Sequence, residues 1–594
     1  MSDETVKYAE LVTEWLEELG YTHCFFVAGG NIMHLLDGVR KRMKCVPFVH
    51  EVAAGIASEY FNASGGSGRA FTLVTAGPGL TNVMTAIGGA WLESRELLVL
   101  GGQVKSTDLA RGAVRQRGIQ EIDGRDVAAP LCKASVTLEA PIDRADFTEL
   151  VELGRTPRCG PVFLEFCLDV QGAPVDRGEL EARPVAPPVE LPRASDAEAL
   201  AVRQLLNEAR RPMLLLGGGV SREAALAARP LLASCGLPVM TTWNGIDRVD
   251  SSDPYYFGRP NTWGQRSANI ILQSADVLVA LGTRLGLQQT GFNWQEFVPG
   301  GTVVQVDIDP AELGKGHPRV DLALCADADD LLPRLLDGLQ LGPAVGEWRT
   351  FAREVIELLP LSDPANEHAE GYFDPYDWVL ELSALCTAED VVIPASSGGA
   401  NSVSLQTFQQ KLGQPIVTDH GLAAMGYGLS GAIGAALAHP GRRTVLIEGD
   451  GGFAQNLQEL SIVAVNALPL KCFIVANEGY ASIRSTQRNY FGGEYVGCDT
   501  STGLGFPDWI KLFAAFDIPA IELGEGWTDD PRFRELWESE RPAGFVVPVD
   551  PEQSYFPKIA SRVTASGSME SNPLHRMSPD LGEDLAVTVL RFLP

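Results

Sequence analysis

Three kinds of feature are missing from this sequence, and each absence excludes a class of protein. No run of about 18 consecutive apolar residues occurs, so no membrane-spanning helix is expected. The N-terminal residues lack a basic head followed by an apolar core, which argues against a secretory signal and predicts a cytoplasmic location. None of the ten cysteines belongs to a C-x-x-C pair, so neither a zinc site nor a redox dithiol is indicated.

Positive charge is scarce as well. The 594 residues include 47 lysines and arginines against 76 aspartates and glutamates, which gives a formal net charge of −29. Such a surface repels nucleic acid and anionic lipid, so neither is expected as a partner. A small anionic substrate is not excluded, because it responds only to the local field of its pocket. The hydrophobic content of 45% is typical of a globular protein.

Apolar runs that end in glycine alternate with helical stretches along most of the chain. This alternation predicts parallel sheets covered by helices. A proline-rich and charged segment at 172–194 reads as a linker, and the stretch from about 340 to 375 is expected to be less regular. We therefore predict three α/β domains and a polar tail, with the boundaries 1–175, 190–345, 370–555 and 556–594.

A glycine-aspartate turn closes one of these runs, and an asparagine closes the next. The turn is Gly449-Asp450-Gly451-Gly452, and the next run ends at Asn477-Glu478-Gly479. Ligands of parallel sheets lie at the carboxyl ends of the strands, so Asp450 and Asn477 are expected side by side. Their oxygens, with the Gly479 carbonyl, suit Mg²⁺, and the glycines let the backbone approach a diphosphate. An ordinary strand-to-helix turn would explain the first motif alone, but the asparagine favours the metal site.

This pair of motifs resembles the thiamine diphosphate fingerprint. The whole chain resembles the acetohydroxyacid synthase (acetolactate synthase) branch of that superfamily, in the order pyrimidine-binding, central and diphosphate-binding domain. The resemblance implies three doubly wound parallel-sheet domains, with thiamine diphosphate and Mg²⁺ as cofactors. It also implies a homodimer or homotetramer with active sites between subunits. The family often has an Asn-Asn doublet where this chain has Ala476-Asn477. The second position, which is the ligand, is retained as Asn477.

The resemblance assigns roles to residues on both sides of the cofactor. Glu51 matches the glutamate that bonds N1′ of the cofactor pyrimidine, which makes the cofactor its own base. Met425 matches the apolar residue between the two cofactor rings, and the Ala423 carbonyl would accept from the pyrimidine amino group. Without the metal site, Glu51 would read as a solvated helix carboxylate and residues 421–435 as core packing.

Further contacts are implied by shorter matches. Gln120 matches a glutamine that points at the reacting carbon, and Lys133 matches a lysine near the entrance. A surface amide and a solvated surface lysine are the alternatives for these two residues. The loops 27–31 and 75–82 resemble loops of the pyrimidine domain. The remaining candidates in these loops and at the diphosphate site are Gly30, Pro78, Asn82, Gly449, Gly451, Gly452 and Tyr480.

The central domain carries a possible flavin site. Several members of the family bind FAD there without using it for redox chemistry. Gly217, Gly218 and Gly219 resemble one of the flavin contacts, and Arg284 matches an arginine of the flavin-binding form. The second arginine of that form is Gln288 here, and a run of three glycines also suits a packed helix start.

The reaction type is narrowed by one more absence. After decarboxylating a 2-oxo acid, such an enzyme can protonate the resulting carbanion, oxidise it or add it to another carbonyl. The pyruvate decarboxylase type protonates with an adjacent His-His pair, and none of the eight histidines here has a histidine neighbour. A carboligase similar to acetolactate synthase is therefore favoured. The alternatives are a simple 2-oxo-acid decarboxylase, a diketone C–C hydrolase or a non-catalytic homologue.

The acceptor of the acyl unit is left open by the sequence. Acetohydroxyacid synthases carry a tryptophan that selects 2-ketobutyrate, and the matching position here is Thr486, with Arg484 nearby. The open space would fit a bulky ketone or keto-sugar. Residues 548–575 also resemble proteins associated with polysaccharide or secondary metabolism.

Overall fold

The computed structural model describes residues 5–563, 566–567 and 569–594. Three parallel sheets follow one another along the chain, each covered by helices. Among the described residues, no helix combines the length and the apolar character needed to cross a membrane.

The first domain is built on a six-stranded sheet. The strands of the domain are β1 (Thr5–Lys7), β2 (Tyr21–Phe26), β3 (Lys44–Pro47), β4 (Arg69–Val74), β5 (Leu97–Gln103), β6 (Ala134–Leu138), β7 (Pro161–Cys167) and β8 (Pro174–Asp176). Strands β1 and β8 pair with each other outside the six-stranded sheet. The helices of the domain are α1 (Tyr8–Glu18), α2 (Met33–Val39), α3 (Glu51–Ala63), α4 (Pro78–Glu93), α5 (Gly124–Ala128), α6 (Arg144–Glu152), α7 (Leu168–Gln171) and α8 (Arg177–Leu180). The sheet order is β3-β2-β4-β5-β7-β6, with all neighbours parallel.

The predicted linker at 172–194 is only partly a linker. Strand β8 pairs antiparallel with β1, and α8 follows it directly, so residues 174–180 fold with the first domain. The Asp176 side chain accepts a hydrogen bond from the Glu179 N–H at the start of α8. Residues 181–195, which follow, contain no helix or strand and form the connection to the central domain.

The central domain has a five-stranded parallel sheet in the order β10-β9-β11-β12-β13. The strands are β9 (Pro212–Leu216), β10 (Val239–Thr241), β11 (Val277–Leu281), β12 (Thr302–Asp307) and β13 (Leu322–Cys325). The helices are α9 (Asp196–Glu208), α10 (Arg222–Cys235), α11 (Arg266–Gln273), α12 (Leu287–Thr290), α13 (Pro310–Gly314), α14 (Ala328–Leu336) and α15 (Ala344–Leu358).

Helix α15 corrects the first half of the expectation of a less regular stretch from about 340 to 375, whereas residues 359–374 contain no helix or strand. Its buried residues recur at helical spacing: Val345, Trp348, Phe351, Ala352 and Val355. This apolar face packs on the central domain, which explains a regular helix beside a proline-containing segment.

The third domain repeats the five-stranded parallel arrangement in the order β14-β15-β16-β18-β17. The strands are β14 (Val391–Pro394), β15 (Thr444–Gly449), β16 (Leu470–Ala476), β17 (Ala520–Glu522) and β18 (Ala543–Pro548). The helices are α16 (Pro375–Leu385), α17 (Gly398–Thr407), α18 (Tyr427–Ala438), α19 (Asp450–Phe453), α20 (Leu460–Val465), α21 (Ala481–Tyr490), α22 (Trp509–Ala515) and α23 (Pro531–Glu538).

The predicted polar tail is folded against the central domain. It contains β19 (Lys558–Ile559), β20 (Ser561–Val563), β21 (Met569–Ser571), β22 (Met577–Ser578) and α24 (Glu583–Val589). Leu574 and Val589 are fully buried in the central core, and the Phe592 ring lies edge-on to Phe351 with centroids 4.7 Å apart. A few apolar anchors therefore fix a segment whose average composition is polar.

The first and third domains share one hydrophobic core. Helix α3 packs against α18. A Cβ at Gly431 would overlap the Tyr60 ring, and a Cβ at Gly434 would overlap the Ala57 backbone. Small residues let the two helix backbones approach closely, which fixes the first domain against the third within the chain.

Candidate active site

The carboxylate of Asp450 lies at the carboxyl edge of the third sheet. Its Oδ1 accepts from the Gly451 N–H at 2.7 Å, and its Oδ2 accepts from the N–H groups of Asn477 and Gly479, both at 3.1 Å. Strands β15 and β16 are neighbours, so the residues that follow them meet at this edge. Asp450 and Asn477 therefore lie side by side, as the strand pattern predicts.

Two features of this pair fit a bound cation. The Oδ1 atom of Asn477 is buried and has no hydrogen-bond partner, although an unsatisfied buried polar group costs about 1–3 kcal/mol. Burial raises the pKa of Asp450 to about 6, although the three backbone N–H groups oppose this shift. A cation between the two side chains would satisfy the amide oxygen and stabilise the ionised carboxylate.

The protein alone supplies few metal ligands at this position. Among the residues described, no group of three or more His, Cys, Asp or Glu side chains could hold a metal ion. One carboxylate and one amide suit a Mg²⁺ that takes its other ligands from phosphate oxygens and water. The donor set thus fits a metal that arrives with a diphosphate.

The other predicted residues of this edge surround Asp450. Gly449 is the last residue of β15, Gly451 and Gly452 lie in α19, and the Tyr480 ring packs on Gly451. Beside them, Glu448 accepts from the N–H groups of Gly428 and Leu429 at 3.2 and 3.0 Å. Burial raises the pKa of Glu448 to about 7. Sequence reasoning missed this role, for which the only signal was a glutamate within an apolar run.

Tyr555 is a second residue that sequence reasoning missed. It lies in the segment after β18, and its ring packs on Gly399 at the start of α17. Its hydroxyl is buried without a hydrogen bond of good geometry. Burial raises the pKa of Tyr555 to about 12, and Asn477 and Asp450 are both close enough to shift it. No local motif marks a tyrosine that reaches the site from so far along the chain.

Glu51 is the first residue of α3 and is buried, with 7% of its surface exposed. One of its carboxyl oxygens accepts from the Asn82 side-chain amide at 3.0 Å. The two residues before it, Val49 and His50, donate their N–H groups to Glu459 of the third domain. The position of Glu51 is therefore set by contacts with both domains.

The loops predicted to shape the substrate side meet at the carboxyl edge of the first sheet. Gly30 follows β2, Pro78 and Asn82 open α4 after β4, and the Gln120 carbonyl lies against Gly77. Gln120 has a φ of 62° and is exposed. The structure thus brings Gly30, Pro78, Asn82 and Gln120 to one edge with Glu51.

Lys133 does not lie at this edge, and the expectation that it lines the entrance is corrected. It immediately precedes β6, so it lies at the amino end of a parallel strand. Its ammonium donates to the carbonyls of Thr156 and Arg158, both at 2.6 Å. These bonds hold the turn before β7, so Lys133 has a structural role.

The loop before α18 carries the residues predicted to contact both cofactor rings. Ala423 has a φ of 55°, and its N–H donates to Asp419 Oδ1 at 2.9 Å. The Met425 side chain is 37% exposed, so it is free to contact a ligand. Within the described part of the chain, no hydrogen bond joins Glu51 to Asp450, Ala423 or Met425.

The predicted flavin contacts have an explanation within the protein. Loops 217–219 and 282–284 follow the neighbouring strands β9 and β11. The Gly217 N–H donates to Leu281, the Gly219 N–H donates to Gly282, and a Cβ at Gly217 would overlap Gly282. Gly218, Gly219, Arg284 and Gln288 are exposed. Packing of the two loops accounts for the glycines without a flavin.

Comparison with known proteins matches all three domains. The family models that match are the thiamine pyrophosphate enzyme N-terminal TPP binding domain over residues 6–127, the central domain over 200–335 and the C-terminal TPP binding domain over 397–543. The acetolactate synthase of Mycobacterium bovis is 30% identical, over 85% of this chain and 82% of its own.

Two Escherichia coli proteins are similar over nearly their whole length. Acetolactate synthase isozyme 1 large subunit is 28% identical over 93% of this chain and 95% of its own length. Acetolactate synthase isozyme 2 large subunit is 29% identical over 95% of this chain and 99% of its own length.

Proposed function

This chain belongs to the thiamine pyrophosphate enzyme family, and from that premise we propose that it is a decarboxylating carboligase of the acetolactate synthase type. It would release CO₂ from a 2-oxo acid such as pyruvate and transfer the acyl unit to a second carbonyl compound. The observation that carries this proposal is the adjacent pair Asp450 and Asn477, with the orphaned amide oxygen, in a chain of this family.

The proposed roles follow from the geometry of the two edges. Asp450, the Asn477 amide oxygen and the Gly479 carbonyl would hold Mg²⁺, and the backbone at 449–452 with Tyr480 would lie along the diphosphate. When bound, thiamine diphosphate supplies the carbon that accepts and releases the acyl unit. Glu51 would hold a proton at the pyrimidine N1′, and the Ala423 carbonyl would accept from the pyrimidine amino group.

A homodimer is proposed as the smallest active assembly. Several large apolar side chains beside the two edges are exposed in the single chain: Met33, Val49, Ile119, Leu422, Met425 and Ile483. A second copy of the chain would cover them and would place Glu51 of one copy opposite Asp450 of the other. A tetramer of two such dimers is also compatible with the proposal. The cytoplasmic location stays a prediction from the sequence.

The acceptor is proposed to be a ketone or keto-sugar, in addition to a second 2-oxo acid. Thr486 lies exposed on α21, so no large side chain narrows the space at the position where acetohydroxyacid synthases carry a tryptophan. Arg484, which lies two residues before Thr486, is buried. It donates to the carbonyls of Asn477, Glu478 and Pro551. It therefore supports the metal edge and is not available to bind a substrate anion.

The function is tested by identifying products. Purified protein with pyruvate, Mg²⁺ and thiamine diphosphate is expected to give acetolactate, measured by mass spectrometry. Added ketones are expected to give branched α-hydroxyketones. Acetaldehyde without any coupled product would replace this proposal with a simple 2-oxo-acid decarboxylase. Cleavage of an added diketone to an acid, with pyruvate left intact, would replace it with a diketone hydrolase. No consumption of pyruvate would exclude it as the donor.

FAD is proposed as a further ligand of the central domain on the residue matches at 217–220 and 281–284 alone. Gln288 in place of an arginine and the packing role of the glycines weaken that match. The visible absorption spectrum of the same purified protein shows whether flavin is bound.

Tyr555→Phe is expected to weaken the binding of Mg²⁺ and thiamine diphosphate about three- to tenfold. The buried hydroxyl, which has no hydrogen-bond partner among the described residues, would donate a hydrogen bond at the metal edge once the cofactor is bound, and one such bond is worth about 0.5–1.5 kcal/mol. The ring would still pack on Gly399, so thermal stability should not change. Calorimetric titration of the apoprotein measures the affinity. Tyr495→Phe, which removes an exposed hydroxyl, serves as the matched control. Equal affinities for the Tyr555→Phe variant and the unmodified protein would remove Tyr555 from the site.

A further inference from the structure

A cluster of charged side chains lies where the three domains meet, beneath the loop that carries Ala423 and Met425. We refer to Glu59, Glu93, Arg95 and Asp419 as the junction cluster. Glu59 and Asp419 are fully buried, and Glu59 pairs with Arg95 at 2.9 Å. Buried charges are costly unless they are paired and hydrogen-bonded, so their partners indicate what the cluster holds in place.

Glu93 connects all three domains through one carboxylate. It is the last residue of α4 in the first domain. Its Oε1 accepts from the N–H groups of His420 and Gly421 of the third domain, at 2.9 and 2.6 Å. Its Oε2 accepts from the side-chain amide of Asn244 in the central domain. Loss of this carboxylate would release two consecutive amides of the loop.

Asp419 and Arg95 hold the same loop from its beginning. Asp419 Oδ1 accepts from the Ala423 N–H at 2.9 Å, and Arg95 donates to the Thr418 carbonyl at 2.6 Å. Ala423 has a φ of 55°, a left-handed conformation that is unfavourable for a residue with a Cβ. The bond from the Ala423 N–H to Asp419 helps to hold the residue in this conformation.

Tyr427 attaches the end of the same loop to the first domain. The Tyr427 hydroxyl, at the start of α18, lies 3.3 Å from Glu59 Oε2 and 3.3 Å from the Thr85 carbonyl. Arg95 bonds the other oxygen of Glu59. Residues 418 and 427, on either side of the Ala423–Met425 segment, are thus attached to one ion pair of the first domain.

We propose that Glu93 and Asp419 are positioning residues: they hold the backbone of residues 420–423 so that the Ala423 carbonyl and the Met425 side chain face the cofactor. This inference rests on the proposed function for the identity of the ligand. The contacts that hold the loop are independent of it. Burial alone would raise the pKa of Glu93, but His420, Arg95 and two backbone N–H groups favour its ionised form and lower its pKa.

Hydrogen exchange of the apoprotein tests the contacts without any cofactor. Glu93→Ala and Asp419→Ala are each expected to speed exchange of the amides at 420–423 about tenfold, since each variant loses at least one hydrogen bond that protects a loop amide. Glu93→Gln and Asp419→Asn keep an acceptor oxygen and should restore most of the protection. Glu96→Ala is the matched control, because Glu96 bonds Arg69 and Tyr21 within the first domain.

Binding of thiamine diphosphate with Mg²⁺ tests the consequence. The two alanine variants should bind about tenfold more weakly than the unmodified protein, and the conservative variants should bind within about threefold of it. Unchanged exchange at 420–423 would overturn the inference, and so would faster exchange with unchanged affinity. If the unmodified protein bound no cofactor, the proposed function would fail instead. If an alanine variant did not fold, the conservative variant at that position would decide by the same two measurements.

Discussion

Replacing Asp450 with asparagine is expected to weaken Mg²⁺-dependent binding of thiamine diphosphate by more than about 100-fold. Substitutions of residues that only contact the metal ligands already cost about 10- to 100-fold in metal affinity, and Asp450 is the carboxylate proposed to bind the metal directly. An amide has one oxygen, so it could serve either the metal or the backbone N–H groups that Asp450 now accepts from. Calorimetric titration of the apoprotein with the cofactor and Mg²⁺ measures the loss.

Two further variants separate a lost ligand from a disturbed fold. Asn477→Ala removes the orphaned amide oxygen and leaves the Asp450 bonds in place, so we expect a smaller loss of about tenfold. Asp390→Asn changes another buried carboxylate of the same sheet, which pairs with Arg443 at the amino end of β14. It should leave cofactor affinity unchanged. Wild-type affinity in the Asp450→Asn protein would exclude Asp450 as the metal ligand.

The metal edge could be predicted from sequence because its signals are local. Asp450 and Asn477 each end an apolar run, and parallel strands bring such ends to the same edge whatever the rest of the fold does. Glu51, Asn82 and Gln120 are assigned from the family resemblance, and the structure places each after a strand of the first sheet. The assignment of Lys133 to the entrance is wrong because Lys133 precedes its strand. A match by residue type does not show which end of a strand the residue occupies.

The parts that sequence could not supply depend on contacts between distant segments. Tyr555 reaches the metal edge, and Leu574 and Val589 anchor the tail, only through tertiary packing. Glu93 and Asp419 are ordinary acidic residues in the sequence. Their role follows only from the contact between the end of α4 in the first domain and the loop 419–423 of the third domain. Periodicity and turn motifs carry no information about such tertiary contacts.

Glu51→Gln is expected to lower kcat about 100- to 10,000-fold, the usual contribution of a group that takes part in proton transfer. The amide cannot hold the proton that a carboxyl would share with the pyrimidine N1′. The Asn82 amide can still donate to the glutamine oxygen, so the start of α3 should keep its structure. Cofactor affinity and melting temperature are therefore expected to change little. Steady-state kinetics beside calorimetric titration separates lost chemistry from lost binding, and an active Glu51→Gln protein would contradict the assignment.

Mixing the Glu51→Gln and Asp450→Asn proteins tests whether one site draws on two chains. In a two-fold dimer with shared sites, a mixed dimer has one site with both changes and one site with neither. Refolded or co-expressed mixtures should therefore recover up to about one quarter of wild-type activity, although each variant alone is nearly inactive. If both residues served the same chain's site, every site in every dimer would carry one defect. No activity would return, and the proposed dimer would lose its main support.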